Sequence, residues 1–164
     1  MRTGIDHLKK LIIPTKRNLF GEYVKINQRV GLPQRWVNDI KYICNLYNAD
    51  VVFPIVGPDC HYFQFNKIRS TIGIRHDGLI TTKEMIIGTS HEIAHAIQYK
   101  ERNSSDMYFE DVAAEIRFEQ EACRLSYFVY LQYFKHVRFL YSSAFRRYDS
   151  KHAKLSIVRN FNGW

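Results

Sequence analysis

The sequence predicts an α+β fold, in which a small sheet of about three strands packs on a central helix and on the acidic helix after it, with further helices on the flanks. Three observations predict it. Short β-branched runs stand between turn signals over residues 51–75. A capping-box start, Thr81 with Glu84 three residues on, opens a helix with apolar positions at Met85, Ile86, Ile93, Ala94 and Ile97. A second long helical stripe follows the polar break Asn103-Ser104-Ser105-Asp106.

Residues 1–30 mix basic and apolar residues, and Pro14 and Gly21 divide them into a helix and an irregular or partly extended segment. Pro33 suits a first helical position. Beyond it Trp36, Ile40, Ile43 and Tyr47 recur at helical spacing, which predicts an amphipathic helix over 33–48. Three strands are expected at 51–56, 61–65 and 68–75, the first weakened by Pro54. The central helix runs to about Lys100. The next spans about 107–136, with Phe109, Val112, Ile116, Cys123, Tyr127, Tyr130 and Phe134 along one stripe. A further helix and a tail are expected over 141–164. At 164 residues the chain reads as a single domain over 1–164.

Composition narrows the function classes. With 46% hydrophobic residues, 8 Gly and 4 Pro, the chain is neither disordered nor fibrous, and no run is long enough to span a membrane. The amino-terminal residues do not read as a secretory signal. Cys44, Cys60 and Cys123 are far apart and form no CxxC, which argues against a disulfide scaffold or a structural zinc cage and fits a reducing, cytoplasmic setting. The net charge of +8 is uneven. Residues 1–35 carry eight Lys/Arg against Asp6 and Glu22, and 124–164 carry eight against Asp149, while 36–123 are net acidic. An acidic centre between basic ends suggests a chemical site in the middle and a surface for a polyanion or partner at the ends.

The central helix contains His91-Glu92-Ile93-Ala94-His95. Histidines at i and i+4 stand one above the other on one helix face, so their ring nitrogens can converge on one ion. Glu92 is placed to take a proton from a water at the open position of such an ion. Ala94 and Ala96, beside the histidines, would let a neighbouring helix approach closely. A catalytic zinc wants three protein ligands. No histidine follows His95 until His136, and neither it nor His152 has suitable spacing. The third ligand should therefore be a carboxylate of the next helix. Glu119, near the apolar stripe, ranks first, since a carboxylate there is costly unless something cationic faces it. Glu121 ranks second and Glu115 third.

These residues resemble the zincin metallopeptidases whose third ligand is a glutamate. The HEIAH helix followed by Glu119-Gln120-Glu121-Ala122 is similar to the ExEA-type element of the ImmA/IrrE-like minimal gluzincins, over residues 84–126. The resemblance implies a zincin-like fold, zinc held by His91, His95 and Glu119, and hydrolysis of peptide bonds with Glu92 as general base. The chain has Cys123 where those families usually place Asn or Asp beside a ligand histidine. SprT/Spartan-like proteases, which act on DNA-bound proteins, are less similar because they supply a third histidine.

The expected substrate is an intracellular protein or peptide, bound in extended form against a sheet edge at Ser70–Ile74. The carboxy-terminal third interleaves aromatic and basic residues, among them Phe134, Lys135, Arg138, Tyr141, Arg146, Arg147 and Tyr148. Such a pattern suits either an amphipathic helix or contact with nucleic acid. The alternative function is a non-catalytic nucleic-acid-binding or regulatory protein that uses the same fold.

Overall fold

A computed structural model describes residues 4–21, 29–30, 34–52, 63–66, 71–74, 80–102 and 112–135. In chain order the elements are α1 (Gly4–Lys9), β1 (Arg29–Val30), α2 (Gln34–Leu46), β2 (Asp50–Val52), β3 (Phe63–Asn66), β4 (Thr71–Ile74), β5 (Ile80–Thr81), α3 (Thr82–Arg102) and α4 (Val112–Tyr133). The expected helix and tail over 141–164 lie outside the described residues, as does Cys60.

Helix α2 buries Trp36, Val37, Ile40, Ile43 and Cys44, three or four residues apart as an amphipathic helix requires. Its end is set by Asn48, which stands at φ 54°. The Asn48 N–H bonds to the Asn45 carbonyl and the Ala49 N–H to the Cys44 carbonyl, the Schellman pattern in which Asn is a substitute for Gly.

Helix α3 differs from a surface helix. Every residue from Met85 to Gln98 is buried, including His91, Glu92 and His95. A helix buried all round is the axis of a fold and must be covered on every side. Helix α4 packs along it and buries Phe118, Ala122, Cys123, Leu125, Ser126, Val129, Tyr130 and Tyr133. Val112, Ile116 and Tyr127 of the expected stripe are only half-buried. Cys123, Tyr130 and Phe134 of the same stripe are buried, so the buried face overlaps part of the one that hydropathy selects.

The fold class is corrected by this structure. The expected α+β arrangement, with a sheet packed on the HExxH helix and on the glutamate helix, gives way to a predominantly helical architecture. The described core is a single cluster supplied by the helices and the segments that flank them. Each strand is two to four residues long. Ladders this short are below the usual strand length of about five to six residues and make a poor layer. The β-branched residues at 51–75 report a preference for pleated backbone, but the ladders formed there are only three or four residues long.

The short ladders also correct the proposed substrate edge. β1 pairs with β5, while β4 lies between β2, to which it is parallel, and β3, to which it is antiparallel. Ile72 is opposite Val51 on one side and Phe65 on the other. Thr71–Ile74 is therefore a central strand whose hydrogen-bonding sides are both occupied.

The amino-terminal segment closes the core. Phe20 adopts φ 54°, a strained choice for a bulky residue. It is held there by its N–H, which donates to the buried Asp39 carboxylate at 2.7 Å, and by its ring, stacked on Phe134 with centroids 4.4 Å apart and tilted against Trp36 at 4.8 Å. A second tie joins Ile13 to both flanks of the core. Its N–H donates to the Tyr47 hydroxyl at 2.9 Å, Tyr47 and Tyr133 share a hydrogen bond of 2.7 Å, and the Tyr133 hydroxyl donates to the Ile13 carbonyl.

Burial pushes the pKa of both phenols above its ordinary value. The fold therefore favours their neutral forms, and the unfolded chain loses these protons first as pH rises past about 10. Stability is expected to fall above that pH. Tyr133→Phe should cost about 1–2 kcal/mol at pH 7 and flatten the alkaline decline. Urea denaturation at pH 7 and pH 10.5 checks both, and an unchanged slope in the variant would remove the hydroxyl circuit from the account.

Candidate metal centre

Three side chains from two helices converge. His91 and His95 are one turn apart on α3, and Glu119 reaches them from α4, so that one ligand atom of each lies within 4.8 Å of the others. The His95 Nε2 to His91 Nε2 separation is 3.0 Å, and Glu119 Oε2 lies 3.2 Å from His91 Nε2 and 3.4 Å from His95 Nε2. His91 is fully buried and the Glu119 side chain is 13% exposed, which leaves the carboxylate side nearest solvent.

The donor set fits a divalent metal. Atoms about 2.0–2.2 Å from a tetrahedrally coordinated zinc stand about 3.3–3.6 Å from one another. The observed separations lie within a few tenths of an ångström of that triangle. His91, His95 and Glu119 thus form a group that could hold a metal ion.

The electrostatics point the same way. Burial opposes a charge on His95, but the Glu119 carboxylate outweighs it, with Glu92 and the Gln98 amide oxygen adding, and its pKa is pushed up to about 9. Burial also works against charge on Glu119, yet His95 and His91 hold its carboxyl far below the ordinary range. The site thus stabilises positive charge facing a carboxylate. Glu115 moves the other way, raised by burial and then by the Glu119 charge beside it.

Around the triangle the rings are fixed. His91 Nδ1 lies 3.4 Å from Cys123 Sγ, one turn beyond Glu119. The cysteine thus occupies the place beside a ligand histidine where Asn or Asp was the family expectation. His95 Nδ1 lies 2.9 Å from Gln98 Oε1, and its ring stacks on Phe118 with centroids 5.2 Å apart and planes at 20°. Glu92 is buried, and from helical geometry it lies about 60° around α3 from His95, beside the triangle and outside it.

Of the three carboxylates ranked from sequence, the structure brings Glu119 to both histidines. Glu121 instead accepts a hydrogen bond from Gln98 Nε2 at 2.9 Å. Gln98 itself escaped the sequence reading. The available signal was a polar amide three residues after His95, on the same face of the helix. Among the described residues no helix is long and apolar enough to cross a membrane. No family model, curated protein or solved structure matches the chain.

Proposed function

We propose that the chain is a zinc-dependent metallopeptidase of the minimal gluzincin type, acting on an intracellular protein or peptide. The observation that carries this reading is the convergence of His91 Nε2, His95 Nε2 and Glu119 Oε2 at 3.0–3.4 Å, with Glu92 on the turn between the histidines. Two imidazoles and one carboxylate make a three-ligand set of the kind that leaves a fourth position for water or substrate. Zinc held there supplies a Lewis acid that lowers the pKa of a water and polarises a carbonyl.

The protein's own residues supply the remainder. Burial of His91 and His95 keeps competing water from the nitrogens. The Glu92 carboxylate accepts a proton from the attacking water and returns it to the nitrogen of the leaving amine. Gln98, Phe118 and Cys123 hold the two rings in place, so that little reorganisation is needed when the site is used.

The reading is tested by elemental analysis of the purified full-length chain, with zinc added and removed by chelator. About one zinc per chain is expected, lost in parallel from His91→Ala and His95→Ala. A well-folded parent that takes up no zinc, cobalt or manganese would end the proposal.

A further inference from the structure

We propose that Gln98, itself anchored on α4, is a positioning residue that fixes His95 in the form whose Nδ1 carries hydrogen and whose Nε2 is left for the cation. The inference rests on the metal-site reading above and adds to it the device that decides which nitrogen of His95 is used.

The argument is one of satisfiability. The Gln98 side chain is fully buried, so each of its polar atoms needs a partner. Its amide nitrogen donates to the Phe118 carbonyl at 3.0 Å and to the Glu121 carboxylate at 2.9 Å. A backbone carbonyl and an ionised carboxylate can only accept, so both amide hydrogens are committed to α4. The reversed amide would set its oxygen against two oxygens and is excluded. Gln98 Oε1 therefore faces His95 Nδ1 at 2.9 Å, and an amide oxygen also can only accept. The imidazole must bring the hydrogen. Whether the ring is neutral or charged, Nδ1 keeps its hydrogen, and a cation takes the Nε2 lone pair.

The ring cannot turn over to escape this. Turned over, it would set a carbon against Gln98 Oε1 and take Nε2 from Glu119, while Phe118 stacks on the ring and its carbonyl holds the Gln98 amide, so one residue of α4 contacts both His95 and its partner. Glu121, second in the sequence ranking of ligands, thereby acquires a different role. It orients the amide that orients the ligand. Such outer hydrogen bonds set ring orientation and raise ligand basicity, and their loss lowers metal affinity about 10- to 100-fold.

The experiment has two arms on the full-length chain. In the first, proton–nitrogen NMR of the parent protein without metal is expected to show a His95 Nδ1–H resonance that exchanges slowly with solvent, and the same resonance after zinc is added. A His95 carrying its hydrogen on Nε2 alone would overturn the proposal whether or not zinc binds, and needs no variant. In the second, zinc is titrated against a chelator of known affinity. Gln98→Met, of similar volume, is expected to bind zinc about 10- to 100-fold more weakly and to lose the protected resonance. Glu121→Gln, which retains an acceptor oxygen for Gln98, should restore near-parental affinity, whereas Glu121→Met should not. Zinc affinity of Gln98→Met within about twofold of the parent would overturn the inference. Failure of the parent itself to bind zinc would instead strike the proposed function, while the first arm still reports on Gln98.

Discussion

Glu92→Gln is expected to keep zinc and to lose cleavage. Glutamine has nearly the shape of glutamate and fills the same buried position, so the helix should fold as before. Glu92 is not among the three side chains whose ligand atoms converge, and metal uptake should stay within a few-fold of the parent. What disappears is a carboxylate beside the triangle able to take a proton. General-base catalysis contributes about 10²- to 10⁴-fold, and the hydrolysis rate should drop by that factor. The measurement is cleavage of a casein or proteome-derived peptide pool, followed by mass spectrometry, with zinc content determined on the same samples. A variant that still cleaves at the parental rate would show that Glu92 is not the base.

Glu119→Ala carries the second large effect, in two separate readouts. It takes one of three ligands from the ion. Zinc binding by four-ligand peptide sites is worth about 10–16 kcal/mol, or about 3 kcal/mol per ligand, which corresponds to an affinity loss on the order of a hundredfold. The metal-free fold should weaken as well. The carboxylate raises the His95 pKa to about 9 against burial, so their attraction is part of what holds α3 to α4. Once the carboxylate is gone, His95 can shed its proton, which limits the cost to on the order of 2 kcal/mol. Sign follows from the direction of the shift. A histidine with a raised folded pKa stabilises the fold most below its unfolded pKa of about 6.5, and that contribution is lost as pH rises through about 9. Chelator-competed zinc titration and urea denaturation without metal read the two effects independently. Glu115→Ala, whose carboxylate is not one of the converging group, should leave zinc affinity nearly unchanged. Equal losses from both variants would mean general acidity of α4, rather than one ligand, draws the ion.

Several elements were legible in the residues before any coordinates. Helix α2 spans Gln34–Leu46 within the expected 33–48, and Asn48 supplies the left-handed stop just beyond it, which asparagine tolerates. α3 begins directly after Thr81, the expected cap position. Both helix ends depend on chemistry within a few residues. The layer arrangement was not legible, and the α+β expectation fails there. Propensity reports which backbone a segment prefers, whereas a layer is defined by which faces are buried together, and here the described core draws on helices. The same limit left Val112, Ile116 and Tyr127 of the expected α4 stripe half-buried, while Cys123, Tyr130 and Phe134 are buried as expected, and made a central strand of the segment expected at an edge.

His91 and His95 illustrate what sequence alone decides. Four residues in an α-helix bring side chains to one face whatever surrounds them, so their pairing was determined by spacing. Which carboxylate joins them was not. Glu115 lies about 40° from Glu119 around α4 and Glu121 about 160°, and the packing of that helix against α3 brings Glu119 to the triangle and Glu121 to Gln98. Gln98 depended on tertiary structure still more completely. Its role lies in two acceptors from another helix that use up both amide hydrogens, a constraint that exists only when α3 and α4 meet.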